Sequence, residues 1–145
     1  MAGEKPREIA VRILQRHATG QGYLEDVLEE VLGQTSLKPV DRSLVQELTF
    51  GAARWQATLD WLIARKTDRR TQKPLLQILL RLGLYQLFWL DRVPPHAAVN
   101  ETVQLAKEFG QGPQAGFVNA VLRGWLRERD ETRRALEALN SANPR

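Results

Sequence analysis

Residues 75–90, LLQILLRLGLYQLFWL, constrain the fold more than any other stretch, because twelve of the sixteen are Leu, Ile, Tyr, Phe or Trp. A helix apolar on all sides has to be surrounded, either by lipid or by protein. A membrane span needs roughly 20 apolar residues, and Arg81 interrupts this run. The segment therefore reads as a buried helix, the central pillar of a bundle. Asp91 and Pro94-Pro95 punctuate its end, since a proline pair cannot continue a helix but can begin the next one.

Elsewhere the apolar residues recur with helical period, and no convincing period-two run is bounded by turn residues. The fold class is all-α. Pro6 opens a first helix lined by Ile9, Ala10, Ile13 and Leu14, which ends near Gly20 and Gly22. A second runs from about Tyr23 to Leu32, closed by Gly33, and a third over Asp41–Arg54 carries Leu44, Val45, Leu48 and Ala52. Gly51 there implies a close helix approach or a bend. Trp55, Leu59, Leu62 and Ile63 continue as a shorter helix, and Arg65–Lys73 reads as a polar connector. After the pillar, one helix carries Val99, Val103, Leu105, Ala106 and Phe109, and another carries Phe117, Val118, Val121, Leu122, Trp125 and Leu126. The charged stretch 127–139 predicts a final exposed helix. The expectation is one domain over residues 1–139, with 140–145 as tail or linker.

Chemistry-bearing motifs are scarce. The chain has no cysteine, which removes thiolate metal sites, disulfides and thiol nucleophiles together. His17 and His96 are the only histidines, too few for a histidine-rich metal site. His96 reads as exposed or capping, and His17 as a surface residue that is a possible phosphate neighbour. Phosphate-loop and dinucleotide fingerprints are missing, because Gly110-Gln111-Gly112 has no third glycine and no preceding strand. Glu29-Glu30 and the pair Glu128 and Asp130 have the pattern of solvated helix faces, and the serines sit in no nucleophile elbow. No catalytic residue, metal or cofactor is expected, so the chain is read as not being an enzyme. Asn100 and Asn119 lie within apolar helical stretches, where each is expected to bond a packed neighbour. Tyr85 and Trp89 are assigned to the pillar core.

Charge is distributed unevenly along the chain, whose net charge is +4. Residues 21–37 carry Glu25, Asp26, Glu29 and Glu30 with no Lys or Arg. Residues 55–74 carry Arg65, Lys66, Arg69, Arg70 and Lys73 against Asp60 and Asp68. On the first helix, at about 100° per residue, Lys5, Arg12 and Arg16 share an arc beside the apolar stripe. The first twenty residues lack an apolar signal-peptide core, which points to the cytoplasm, and no membrane partner is expected.

The run LRLGLYQLFWLDRVPPHAAVNETVQLAKEFG, followed by GFVNAVLR and preceded by DRSLVQELTFGAARWQATLDWLI, resembles the NusB family of helical RNA-binding domains over about residues 5–128. That family includes free-standing transcription antitermination factors, which act with a ribosomal protein. It also includes the amino-terminal domains of Sun/RsmB-type rRNA 5-methylcytosine methyltransferases. DRVPPHAAVNE and VNAVLR, ending in Arg123, resemble the methyltransferase branch. The resemblance implies a NusB-like bundle of about seven helices. It also implies an RNA face on the first helix, the pillar and the VNAVLR helix, with Lys5, Arg7, Arg12, Arg16, Gln86 and Arg123 as candidate RNA-binding residues. The implied partners are RNA (rRNA or its leader) and a ribosomal protein or a methyltransferase catalytic domain. An adaptor that docks proteins without RNA is the third reading. Because Arg7, Arg12 and Arg16 are taken to lie outside the apolar stripe, their replacement by Glu is expected to abolish RNA binding without unfolding the bundle.

Overall fold

The pillar forms where the apolar run predicts it. In the computed structural model, which describes residues 5–142, helix α5 (Pro74–Trp89) packs against α1 (Pro6–Ala18), α3 (Pro39–Arg54), α4 (Gln56–Lys66), α6 (Pro95–Glu108), α7 (Ala115–Arg127) and α8 (Arg129–Ala142). Helix α2 (Leu24–Gly33) completes the bundle by packing on α1 and α3, and a single 3-10 turn, Gly112–Gln114, leads into α7. Among the described residues there are eight α-helices and no strand. Four of them, α1, α3, α5 and α6, begin on a proline, whose fixed φ suits the first turn and whose missing N–H would have had no partner there. Helix α8 extends to Ala142, and residues 143–145 of the expected tail lie outside the described residues. Among the described residues no helix is long and apolar enough to cross a membrane.

Leu79, Leu80, Leu82, Leu84 and Leu87 of α5 are buried together with Ile9 and Ile13 of α1, Leu48 of α3, Leu59 and Leu62 of α4, and Leu122 of α7. Two glycines allow the closest helix approaches. A Cβ on Gly51 of α3 would lie 2.1 Å from Cζ of Tyr85, so α3 crosses the pillar with the tyrosine ring resting on bare backbone. That is the close approach Gly51 implied. On the opposite side, a Cβ on Gly83 would lie 2.9 Å from Leu122 and 3.0 Å from Thr102 Oγ1, where α6 and α7 close on α5. Tyr85 stacks on Trp89 with ring centroids 5.7 Å apart, and Trp89 meets Trp55 at 5.3 Å, so the pillar's aromatics belong to the packing.

Polar groups inside the bundle are bonded. Thr49 and Thr102 donate to the carbonyls of Val45 and Ala98 one turn back, and the Trp125 indole donates to the Leu62 carbonyl at 3.1 Å. The two asparagines differ from expectation. Asn100 sits on the exposed arc of α6 and makes no side-chain hydrogen bond among the described residues. Asn119 accepts from Arg123 Nε at 2.9 Å within its own helix rather than across a helix interface. His96 is exposed in the first turn of α6 without capping it.

Candidate nucleic-acid interface

Helix α1 turns its buried side, Ile9, Ala10, Val11, Ile13 and Leu14, towards α2, α3 and α5. At 100° per residue, Lys5, Arg12 and Arg16 fall within an arc of about 40° along the helix margin. Arg12 is exposed and has no charged or hydrogen-bonding partner among the described residues. Arg16 donates to Gln21 at 3.2 Å and pairs with Glu30 of α2 at 3.1 Å. Lys5 pairs with Glu108, at the end of α6, at 3.1 Å. That hydrogen bond to Glu108, reinforced by the carboxylate's charge, raises the Lys5 pKa above its ordinary value. Both pairs are solvent-exposed, where such a contact adds little to stability, so a phosphate can displace either carboxylate at little cost.

Arg7 does not belong to that arc. It lies about 200° from Lys5, is partly buried, and donates from Nε to Gln86 Oε1 at 2.7 Å. The sequence reading that groups Arg7 with Arg12 and Arg16 outside the apolar stripe is corrected: Arg7 faces the pillar, and Arg7→Glu would set a carboxylate against a buried amide. Arg7 makes no ion pair among the described residues, its partner Gln86 being neutral. Gln86 is 0% exposed, with its oxygen taken by Arg7 and its amide donating to the Leu82 carbonyl at 3.1 Å. The reading of Gln86 as a direct RNA contact is therefore also corrected, since no strand can reach it. It is the tether that fixes Arg7.

A quantitative consequence follows from that tether. Gln86→Leu removes the acceptor of a charged donor while keeping the volume apolar. It should lower unfolding stability by about 1.5–3 kcal/mol, read in urea denaturation; a cost near zero would show that Arg7 finds another partner.

Arg123 is exposed on α7, which packs on α4, α5 and α6, and its guanidinium is held by the neutral Asn119. The six candidates thus divide into an α1 edge of Lys5, Arg12 and Arg16, a buried pair of Arg7 and Gln86, and Arg123 on another helix. Sequence reasoning overlooked Arg81 and Asp60, which form a two-point ion pair at 2.7 and 3.1 Å between α5 and α4. An arginine that interrupts an otherwise apolar helix was the available signal.

Among the described residues no group of three His, Asp or Glu side chains could hold a metal ion. Compared with known proteins, the chain matches the model of the NusB family over residues 4–127. The chain belongs to the NusB family. Its NusB bundle is similar to the NusB of T. maritima, with a TM-score of 0.71 and 24% identity over 89% of this chain and 94% of that one, a likeness of fold. In sequence, this NusB domain is 39% identical to the ribosomal RNA small subunit methyltransferase B of Pseudomonas putida, over 97% of this chain and 33% of that protein. It is 38% identical to the probable ribosomal RNA small subunit methyltransferase B of Synechocystis, over 90% of this chain and 30% of that protein. A Bacillus subtilis protein of the same description is 35% identical over 84% of this chain. The chain spans about a third of the length of these curated relatives.

Proposed function

We propose that this NusB domain binds ribosomal RNA through the cationic edge of α1 and serves as the accessory, non-catalytic domain of an rRNA 5-methylcytosine methyltransferase. The observation that carries the reading is the exposed Arg12, without a partner among the described residues and flanked on one helical arc by Lys5 and Arg16. Each of those neighbours is held by a solvent-exposed carboxylate that a phosphate can replace. The methyltransferase assignment draws on relatives named for small subunit rRNA, of which this chain corresponds to about a third.

Mechanistically, the domain contributes binding and orientation. Phosphates meet Lys5, Arg12 and Arg16 in succession along α1, with Arg7 adding a positive charge from its seat on Gln86. Contacts of this kind supply affinity with little sequence preference, and they raise the effective concentration of the RNA at a linked catalytic domain. Bond-making is assigned to that other domain, because this chain has no cysteine to act as nucleophile on a pyrimidine.

The test is a titration of the protein with a single-stranded fragment of small subunit rRNA at several salt concentrations. Three phosphate contacts on a single strand predict a slope of log K against log[salt] of about −2. A slope near zero, or no binding, would contradict the proposal and favour the protein-docking adaptor.

A further inference from the structure

The C-terminal ends of α1 and α3, one side of α4 and the N-terminal half of α5 enclose a cleft of 630 Å³. Its apolar part comes from Leu14, Ala52, Ile63 and Ile78, and its cationic part from Arg69, Arg70 and Arg81, with His17 beside them. Asp60 is the one acid in the lining. Both of its oxygens are already engaged, by Arg81 and, at 2.8 Å, by Gln77 Nε2. Three arginines against one aspartate leave the lining at +2, His17 not counted.

Arg69 and Arg70 are exposed, and their guanidinium groups have no partner among the described residues. The turn that carries them is built with care. The Arg69 amide closes onto the Ala64 carbonyl at 2.9 Å, and Gln72 Nε2 donates to the Arg70 carbonyl at 2.8 Å. Asp68 and Arg69 both have left-handed backbones, with φ of 51° and 62°. Such conformations are unfavourable for non-glycine residues and are held in place by the structure around them. Here they set two adjacent arginines at the mouth of a cleft. Pro74, the first residue of α5, also lines it, and no side chain caps that helix, so its positive dipole end adds to the field.

We propose that this cleft is the seat of one unpaired nucleotide of an RNA strand, with a flanking phosphate on Arg69 and Arg70 and the base over the apolar floor. The proposal rests on the RNA reading above and adds a second contact point to it. A volume of 630 Å³ is that of a small-molecule pocket rather than of a lone anion, and the apolar floor offers nothing to a bare phosphate. A strand is favoured over a free nucleotide because the lining includes His17 and Ala18 at the end of α1, next to Arg16 of the basic edge. His17 follows Arg16 directly, about 100° round α1 from it, so a chain lying on the basic edge would turn over the end of the helix to enter the cleft. Gln56 on the lining supplies an amide for a base edge.

The experiment follows backbone amide shifts of the 145-residue chain on addition of a pentauridine oligoribonucleotide, uridine monophosphate, or inorganic phosphate. The expected result is saturable shifts at Arg69, Arg70 and Gln72 and at the α1 edge with the oligonucleotide, and no comparable response to phosphate. The double substitution Arg69→Gly and Arg70→Gln should weaken oligonucleotide binding about tenfold while the α1 shifts persist. Glycine suits the left-handed φ at position 69, so the fold is preserved. Shifts confined to α1, with wild-type affinity in that variant, would overturn the cleft and leave the α1 reading standing. Binding of uridine monophosphate in the cleft without the oligonucleotide would overturn the strand assignment. No shift with any RNA would overturn both.

Discussion

Gly51→Ala should destabilise the domain by about 3 kcal/mol, although the same exchange in an unobstructed helix interior stabilises by about 1 kcal/mol. The sign is decided by the pillar. The new methyl would stand 2.1 Å from Tyr85 Cζ and 2.3 Å from its hydroxyl oxygen. The ring has no free direction in which to retreat, being 7% exposed and stacked on Trp89, which in turn abuts Trp55. Either α3 moves off α5 or the aromatic stack is broken. Thermal unfolding should show a fall of roughly 10 °C for a domain of this size. A double-mutant cycle with Tyr85→Ala assigns the cause, because Gly51→Ala should cost far less where the ring has been removed. An equal cost in both backgrounds, or a raised midpoint, would contradict the close approach.

Arg12→Glu combined with Arg16→Glu should weaken binding of a small subunit rRNA fragment by about 1000-fold at low salt. Two attractions are lost and two repulsions added, each about 1 kcal/mol in a high-dielectric setting. Folding should be nearly untouched. Arg12 contacts no partner among the described residues, and the Arg16–Glu30 pair is a surface contact. Arg7 is left out of this variant because its guanidinium is tied to the buried Gln86. Circular dichroism confirms the fold and a binding isotherm reads the loss; unchanged affinity would remove the α1 edge from the interface.

The bundle was legible because its strongest signal was also its physical centre: a run apolar all round can only be a helix with neighbours on every side, and α5 has them. Pro6 and Pro95 marked helix starts, whereas Pro39 and Pro74 were not read as such, and Gly51 marked a close approach or a bend without naming Tyr85 as the group approached. The interface was harder to read. Gln86 falls in the same apolar run, so its burial followed from the reasoning that made α5 a pillar, yet the family resemblance placed it among the RNA-binding candidates. The 100° arithmetic that united Lys5, Arg12 and Arg16 also placed Arg7 on the far side. Asn100 was misplaced because apolar neighbours in sequence, Val99 and Val103, lie on other arcs of the same helix. The cleft has no sequence signature. Its walls come from four helices and a connector whose left-handed turn at Asp68 and Arg69 contains no glycine to announce it.

The most direct test of an RNA-gripping α1 edge compares the salt dependence of rRNA-fragment binding for the wild-type chain and for Arg12→Gln combined with Arg16→Gln. Removing two phosphate contacts from a single strand should make the slope of log K against log[salt] shallower by about 1.4. Parallel lines for the two proteins would contradict the account, because they would mean that neither arginine meets a phosphate.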